Sequence, residues 1–302
     1  MMSARFLTVV LERAFNMRDG FGREIDYMRI SVIDSCNLNC YYCNPCDNNE
    51  HCHALNILSV KEVLCIVRAA TRLGIKHFRL TGGEPLLHPQ LDEMVLQIKK
   101  IPGVSSVSLT TNAVLLAQHA KWLKEAGIDS INVSLDTIDA SEYERITKKP
   151  LLEEVKHGIN AAIECGIRVK INVVLTPQTD VVALTRYVAK KGTDIRFIEM
   201  MPVGEGHTNG VEPYKKVIGT LSKLYGEPCR INTEKTKEIN SGNDKRKIPD
   251  NGPAEYYIFP ELGIRVGLIQ AIHGKFCDTC NRIRVTADAV SYTHLRAHET
   301  LS

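Results

Sequence analysis

From residue 27 to residue 199, short strand-like runs take turns with amphipathic stretches of helical period. The strand-like runs are Tyr27–Ile33, His77–Leu80, Val104–Leu109, Ser130–Leu135, Ile167–Leu175 and Asp194–Glu199. Between them the apolar spacing predicts helices near Ser59–Leu73, Gln90–Lys100, Leu115–Ala126, Leu152–Cys165 and Val181–Lys191. Several end on a glycine (Gly74, Gly127, Gly166, Gly192), where a left-handed C-cap residue belongs. Continuous apolar strands alternating with amphipathic helices make βαβ units and a parallel sheet. Six such strands fall short of the eight that close a full barrel.

The rhythm changes after about Pro213. A helix near Tyr214–Tyr225 is followed by the polar stretch Asn240–Pro253, then β-like runs at Glu255–Phe259 and Gly263–Ile269. The expected organisation is an N-terminal extension over 1–24, a main α/β unit over 25–213, a mixed unit over 214–288 and a tail over 289–302. The chain of 302 residues, 44% hydrophobic and 24% charged, has a globular composition, which excludes a disordered or collagen-like chain. With 38 basic and 35 acidic residues the net charge of +3 makes no demand for nucleic acid, and it is compatible with a phosphorylated substrate. No run approaches the roughly 18 apolar residues of a membrane helix, and the apolar stretch Phe6–Leu11 is too short for a signal peptide. The expectation is a soluble cytoplasmic chain, mitochondrial if eukaryotic, that binds neither nucleic acid nor membrane.

Ten cysteines in such a chain need a reason, and five crowd the stretch from Cys36 to Cys52. A reducing compartment argues for metal or iron–sulfur ligation over disulfides. Cys36-Asn-Leu-Asn-Cys40-Tyr-Tyr-Cys43 follows the first strand directly. Zinc sites usually offer paired units and four ligands. Three thiolates on a four-iron cubane leave one iron open, as a catalytic site requires. Three free thiols in a surface loop is the bland alternative. Cys65, Cys165 and Cys229 read as small buried hydrophobes, and Cys46 and Cys52 as spare thiols. The histidines show no HExxH spacing, so a zinc hydrolase finds no support.

Polar groups recur at the ends of successive strands. Thr81-Gly-Gly-Glu-Pro85 closes the second, Thr110-Thr111-Asn112 the third and Ser134-Leu-Asp136 the fourth. Any one of them alone is an N-cap or turn. Together, in register with a three-cysteine loop, they converge on the carboxyl end of the sheet, where α/β folds place ligands.

The three cysteines and the Gly-Gly-Glu-Pro motif resemble the radical S-adenosylmethionine (SAM) superfamily. That resemblance implies a partial (β/α)6 TIM-type barrel with a C-terminal mixed α/β extension. It also implies a [4Fe–4S] cluster on Cys36, Cys40 and Cys43 that chelates SAM and cleaves it, with one electron from an external donor, to a 5′-deoxyadenosyl radical. Phe276-Cys277-Asp-Thr-Cys280-Asn-Arg282-Ile-Arg284, Arg196–Gly204 and Gly166–Val174 are similar to the GTP 3′,8-cyclase family, which opens molybdenum-cofactor (molybdopterin) biosynthesis. A bare Cys-x-x-Cys points to zinc; two guanidinium forks on alternate strand positions beside it suit a triphosphate and a purine edge.

By position, this resemblance assigns GTP contacts to Arg29, Arg79, Thr110, Lys170, Arg282 and Arg284, the last two also catalytic. It assigns SAM contacts to Tyr42, Gly83, Ser134 and Met201, with Glu84 near the SAM amino group. Cys277 and Cys280 belong to a second [4Fe–4S] cluster. Further implied are a downstream cyclic pyranopterin monophosphate synthase and a homodimer. The alternatives are a radical SAM peptide maturase and, from another class, a zinc-stabilised binding module. The chain departs from the family after about Ala289: His294 stands where a third cysteine of the second cluster is expected, and no Gly-Gly tail follows. Foreign, scar-like sequence after a truncated frame is the expectation there.

Overall fold

The computed structural model describes residues 18–20, 22–43, 56–200, 213–231, 253–270, 272–273 and 280–292. Met201, Cys46, Cys52, Cys277, His294 and most of the polar stretch 240–253 lie outside the described residues. Six parallel strands form the centre: β1 (Tyr27–Ser31), β2 (His77–Thr81), β3 (Ser106–Thr111), β4 (Ser130–Ser134), β5 (Arg168–Leu175) and β6 (Asp194–Glu199). Each predicted helix is present: α1 (Val60–Arg72), α2 (Leu91–Lys99), α3 (Leu116–Glu125), α5 (Leu152–Glu164) and α6 (Val181–Lys190). Ser59 opens α1 with a reciprocal capping box, its hydroxyl and backbone amide both paired with Glu62. Gly74, Gly127, Gly166 and Gly192 all take positive φ, the left-handed termini the pattern predicts.

Three features differ from the expectation. An eight-residue helix, α4 (Ala140–Thr147), forms where the sequence pattern gives no element; Asp139 caps its N-terminus and Tyr143 and Ile146 bury its inner face. The strands are not continuous apolar runs but alternate. Met28, Ile30, Phe78, Leu80, Val107 and Leu109 pack outward against the helices, while Arg29, Arg79 and Ser108 face inward. A partial barrel whose inner face holds a polar site leaves only its outer face to the hydrophobic core. Cys65 and Cys229 are exposed, not buried hydrophobes, while Cys165 is half-buried and packs against the core. The buried stripe of α1 runs through Val63, Val67 and Ala70, and Cys65 falls off it.

The C-terminal strands continue the same sheet at both edges. After α7 (Pro213–Tyr225) come β7 (Cys229–Ile231), β8 (Glu255–Ile258), β9 (Arg265–Ile269), β10 (Arg282–Val285) and the short β11 (Ser291–Tyr292). The order across the sheet is β11-β10-β1-β2-β3-β4-β5-β6-β9-β8-β7. β9 lies parallel to β6, and β10 parallel to β1, so the two mixed-unit strands flank the six central ones. Among the described residues no helix is long and apolar enough to cross a membrane.

Candidate active site

The cysteine loop, residues 32–43, is held from two sides. The amides of Gly83 and Glu84 donate to the carbonyls of Ile33 and Ser35, each at 2.7 Å. A Cβ on Gly82 or Gly83 would fall on that loop's backbone carbonyls well inside 3.0 Å, so these glycines are what lets the loop lie on the end of β2. On the other side the amides of Asn39 and Tyr41 donate to the carbonyls of Thr147 and Ile146, at 3.0 and 3.1 Å. The loop thus satisfies the last carbonyls of α4, which a helix leaves without internal partners.

Cys36 and Cys43 are exposed and Cys40 half-buried, so all three thiols stand at the open end of the sheet. Their charges are mutually felt: Cys43 discourages ionisation of both Cys36 and Cys40. Burial first, then Asp136, pushes the Cys40 thiol up to about 12. Among the described residues no three His, Cys, Asp or Glu side chains converge as a single metal ion requires. A cubane makes no such demand, because its cysteines each bind a different iron.

Glu84 is 1% exposed and ties two strand ends together. Its Oε1 accepts from the Leu86 amide at 3.0 Å and the Thr111 hydroxyl at 2.6 Å, and its Oε2 from the Asn112 amide at 2.7 Å. Burial raises its pKa, and the Asn112, Thr111 and Leu86 donors oppose the rise. Asn112 in turn donates to Asn37 Oδ1 at 2.7 Å and approaches the Cys36 sulfur at 3.8 Å. Tyr42 donates its hydroxyl to Asp136, whose other oxygen accepts from the Val174 amide at 2.8 Å. Burial, only partly offset by these bonds, lifts Asp136 to about 6. Ser134 stands exposed at the end of β4.

Deeper inside, register arranges side chains in tiers. Arg284, Arg29 and Arg79 face inward at one level on β10, β1 and β2. Burial and the charges of Arg284 and Arg79 press the Arg29 guanidinium well below its ordinary value. That mutual repulsion is what a bound polyanion relieves. Arg79 donates to the Ser108 hydroxyl at 3.0 Å. Tyr27 lies between two cations, Arg79 at 5.6 Å and Arg282 at 5.4 Å from its ring centre. Lys170 is 6% exposed, which excludes a snorkelling side chain, and its Nζ sits 5.9 Å from the Tyr256 ring. Asp194 is occupied by Arg265, with Arg168 at 3.9 Å. At the end of β6, Glu199 accepts from the amides of Ile272 and His273 and pairs with the His273 ring, pinning the residues that lead toward Cys280.

Family models match two stretches: Radical SAM superfamily over residues 30–184, and Molybdenum Cofactor Synthesis C over residues 193–302. The second match runs through the tail that reads as atypical from residue 289. Curated relatives named GTP 3′,8-cyclase occur in Clostridium perfringens (strain SM101) and Pelotomaculum thermopropionicum. Both are 37% identical, over 275 and 278 residues, covering 90% of this chain and 81% of theirs. The chain belongs to the GTP 3′,8-cyclase family. Solved structures confirm the radical SAM fold. Streptococcus suis SuiB bound to S-adenosylmethionine superposes with a TM-score of 0.66 at 13% identity, over 92% of this chain and 62% of its own length. Native anSMEcpe with bound AdoMet does so with 0.54 at 19% identity, over 66% and 60%.

For this member of the family, the structure brings Arg29, Arg79, Thr110, Lys170, Arg282 and Arg284 onto one inner face. It sets Tyr42, Gly83, Glu84 and Ser134 around the cysteine loop, with the Tyr42 hydroxyl and the Glu84 carboxylate engaged by protein groups. Tyr27, Asn132 and Tyr256, to which the sequence pattern gives no role, join the inner face, as does Arg196 at the head of its motif. Tyr27 and Asn132 stand two positions from residues that do have one, so strand parity was the available signal.

Proposed function

We propose that this chain cyclises GTP to (8S)-3′,8-cyclo-7,8-dihydroguanosine 5′-triphosphate, the opening step of molybdenum-cofactor biosynthesis. The observation that carries it is the inward tier of Arg284, Arg29 and Arg79 below a three-cysteine loop. Polyanion binding and radical generation are thereby combined at one mouth.

Cys36, Cys40 and Cys43 would hold a [4Fe–4S] cluster with SAM on its open iron. When bound, that pair would supply, with one electron from an external donor, the 5′-deoxyadenosyl radical that takes the ribose C3′ hydrogen so that C3′ can join guanine C8; a second electron from that donor and a proton then complete the 7,8-dihydro ring. The chain's own residues orient and shield. Gly82 and Gly83 seat the cysteine loop, and Asn112 reaches the Cys36 sulfur. Tyr42 and Asp136 brace its far end. The arginine tier binds the triphosphate, Lys170 extends from the next level toward the same nucleotide, and Arg282 and Arg284 reach toward the purine and phosphates; Cys277 and Cys280 would offer two thiolates to a second cluster. Ser134, Met201 and Gly83 line the SAM site, with Glu84 fixing the strand ends beneath it.

The test is anaerobic incubation of the reconstituted chain with SAM, reductant and GTP. GTP-dependent 5′-deoxyadenosine together with a cyclised nucleotide is the expected result, and Cys40→Ala should abolish both. Consumption of SAM with GTP recovered unchanged would refute the reading.

A further inference from the structure

Asn132 of β4 is 1% exposed, and among the described residues neither its Nδ2 nor its Oδ1 has a hydrogen-bond partner. Its register neighbour on β3, Thr110, carries a buried hydroxyl that likewise has no partner among the described residues. On the other side stands Lys170 of β5. Ile131 and Val133 flank Asn132 along the strand and sit in the helix-facing core, so the carboxamide projects onto the inner face. Folded proteins rarely leave both ends of a buried amide unfilled, and such a group marks a place for water or a ligand. Three neighbouring polar atoms without partners among the described residues, Asn132 Nδ2 and Oδ1 and the Thr110 hydroxyl, make this a prepared patch.

Its level in the sheet indicates which part of a ligand it meets. The arginine tier lies one inward position deeper on each strand, through Arg29, Arg79, Ser108 and Ser130. One inward position nearer the mouth lie Ser134 and Asn112, the latter within 3.8 Å of the Cys36 sulfur. A nucleotide with phosphates on the arginines and its reacting carbon toward the cysteine loop carries its sugar through the level between. Ribose hydroxyls both donate and accept, as do a carboxamide and a threonine hydroxyl.

We infer that Asn132, with Thr110, recognises the ribose hydroxyls of the substrate and so sets its preference for a ribonucleotide. This rests on the GTP reading above. The experiment compares binding of GTP and 2′,3′-dideoxy-GTP by calorimetry, using the anaerobically reconstituted full chain and its Asn132→Leu variant, a near-isosteric change. The unaltered chain should prefer GTP by about tenfold or more. Asn132→Leu should lose most of that preference by weakening GTP while dideoxy-GTP binding stays the same. If Asn132→Leu does not fold, Asn132→Ser, which keeps a hydroxyl but not the reach, is read in the same way. Equal weakening of both nucleotides, or an undiminished preference, overturns the assignment. Absence of GTP binding in the unaltered chain overturns the proposed function itself.

Discussion

Replacing Gly83 by alanine should detach the cysteine loop without unfolding the barrel. The new Cβ would meet the carbonyl carbon and oxygen of Ser35 and the oxygen of Asp34 inside 3.0 Å. These are backbone atoms, so no side-chain rotation relieves the clash. The loop must retreat, and with it go the bonds from the Gly83 and Glu84 amides to Ile33 and Ser35. Two such bonds contribute about 1–3 kcal/mol, and forced overpacking adds about 1–3 kcal/mol. The sum, about 2–6 kcal/mol, is a large share of a typical stability of about 5–15 kcal/mol. Retreat of the loop costs less than straining the sheet, so most of the penalty appears as lost loop anchoring. The assay pairs thermal unfolding with iron content after anaerobic reconstitution. Gly83→Ala should fall well below the unaltered chain in iron while its melting temperature drops by a few degrees. Gly219→Ala, on the exposed side of α7 with nothing within 4 Å, should leave iron unchanged and hold or raise the melting temperature. Full iron occupancy and an unmoved melting temperature in Gly83→Ala would refute the close-approach argument.

The double change Arg282→Ala and Arg284→Ala should weaken GTP binding about a hundredfold or more while leaving uncoupled SAM cleavage in place, since charge-assisted contacts contribute about 1.5–3 kcal/mol each; an unchanged calorimetric affinity would make these arginines structural. Asp136, lifted to about 6 by burial, binds its proton more tightly folded than unfolded. Rising pH between its ordinary value of 3.8 and about 6 therefore removes stability, and Asp136→Asn should flatten that segment of a pH-dependent denaturation series relative to the unaltered chain. With Cys277 and Cys280 the only cysteines after Cys229, the chain should reconstitute to about four irons; about eight, measured by iron and sulfide assay, would mark His294 as a working ligand of a second cluster.

Much of the local structure was legible because local causes set it. Helical periodicity fixed which residues of α1, α2 and α3 turn inward, and glycine's tolerance of positive φ fixed where helices stop. The spacing of Cys36, Cys40 and Cys43 places three thiols on one short loop in any fold that puts it after a strand. α4 escaped because eight residues carry too little periodicity to stand out, and its function is tertiary: its terminal carbonyls receive the amides of Asn39 and Tyr41.

What the chain order could not show is which distant positions share a level. Arg29 and Arg284 lie at opposite ends of the sequence, and only the parallel pairing of β1 with β10 makes them neighbours. The Tyr42 hydroxyl meets Asp136 across 94 residues, and Glu84 finds Thr111 and Asn112 across 27 and 28. Asn132 looks like any polar residue on a strand until the register sets it between Thr110 and Lys170, with no partner for its amide among the described residues. Periodicity decides which face a side chain takes, because that depends on a few bonds of backbone. Register decides what it faces, because that is settled only when the strands and helices pack into one sheet and the helix-facing apolar residues lock each strand at a single offset.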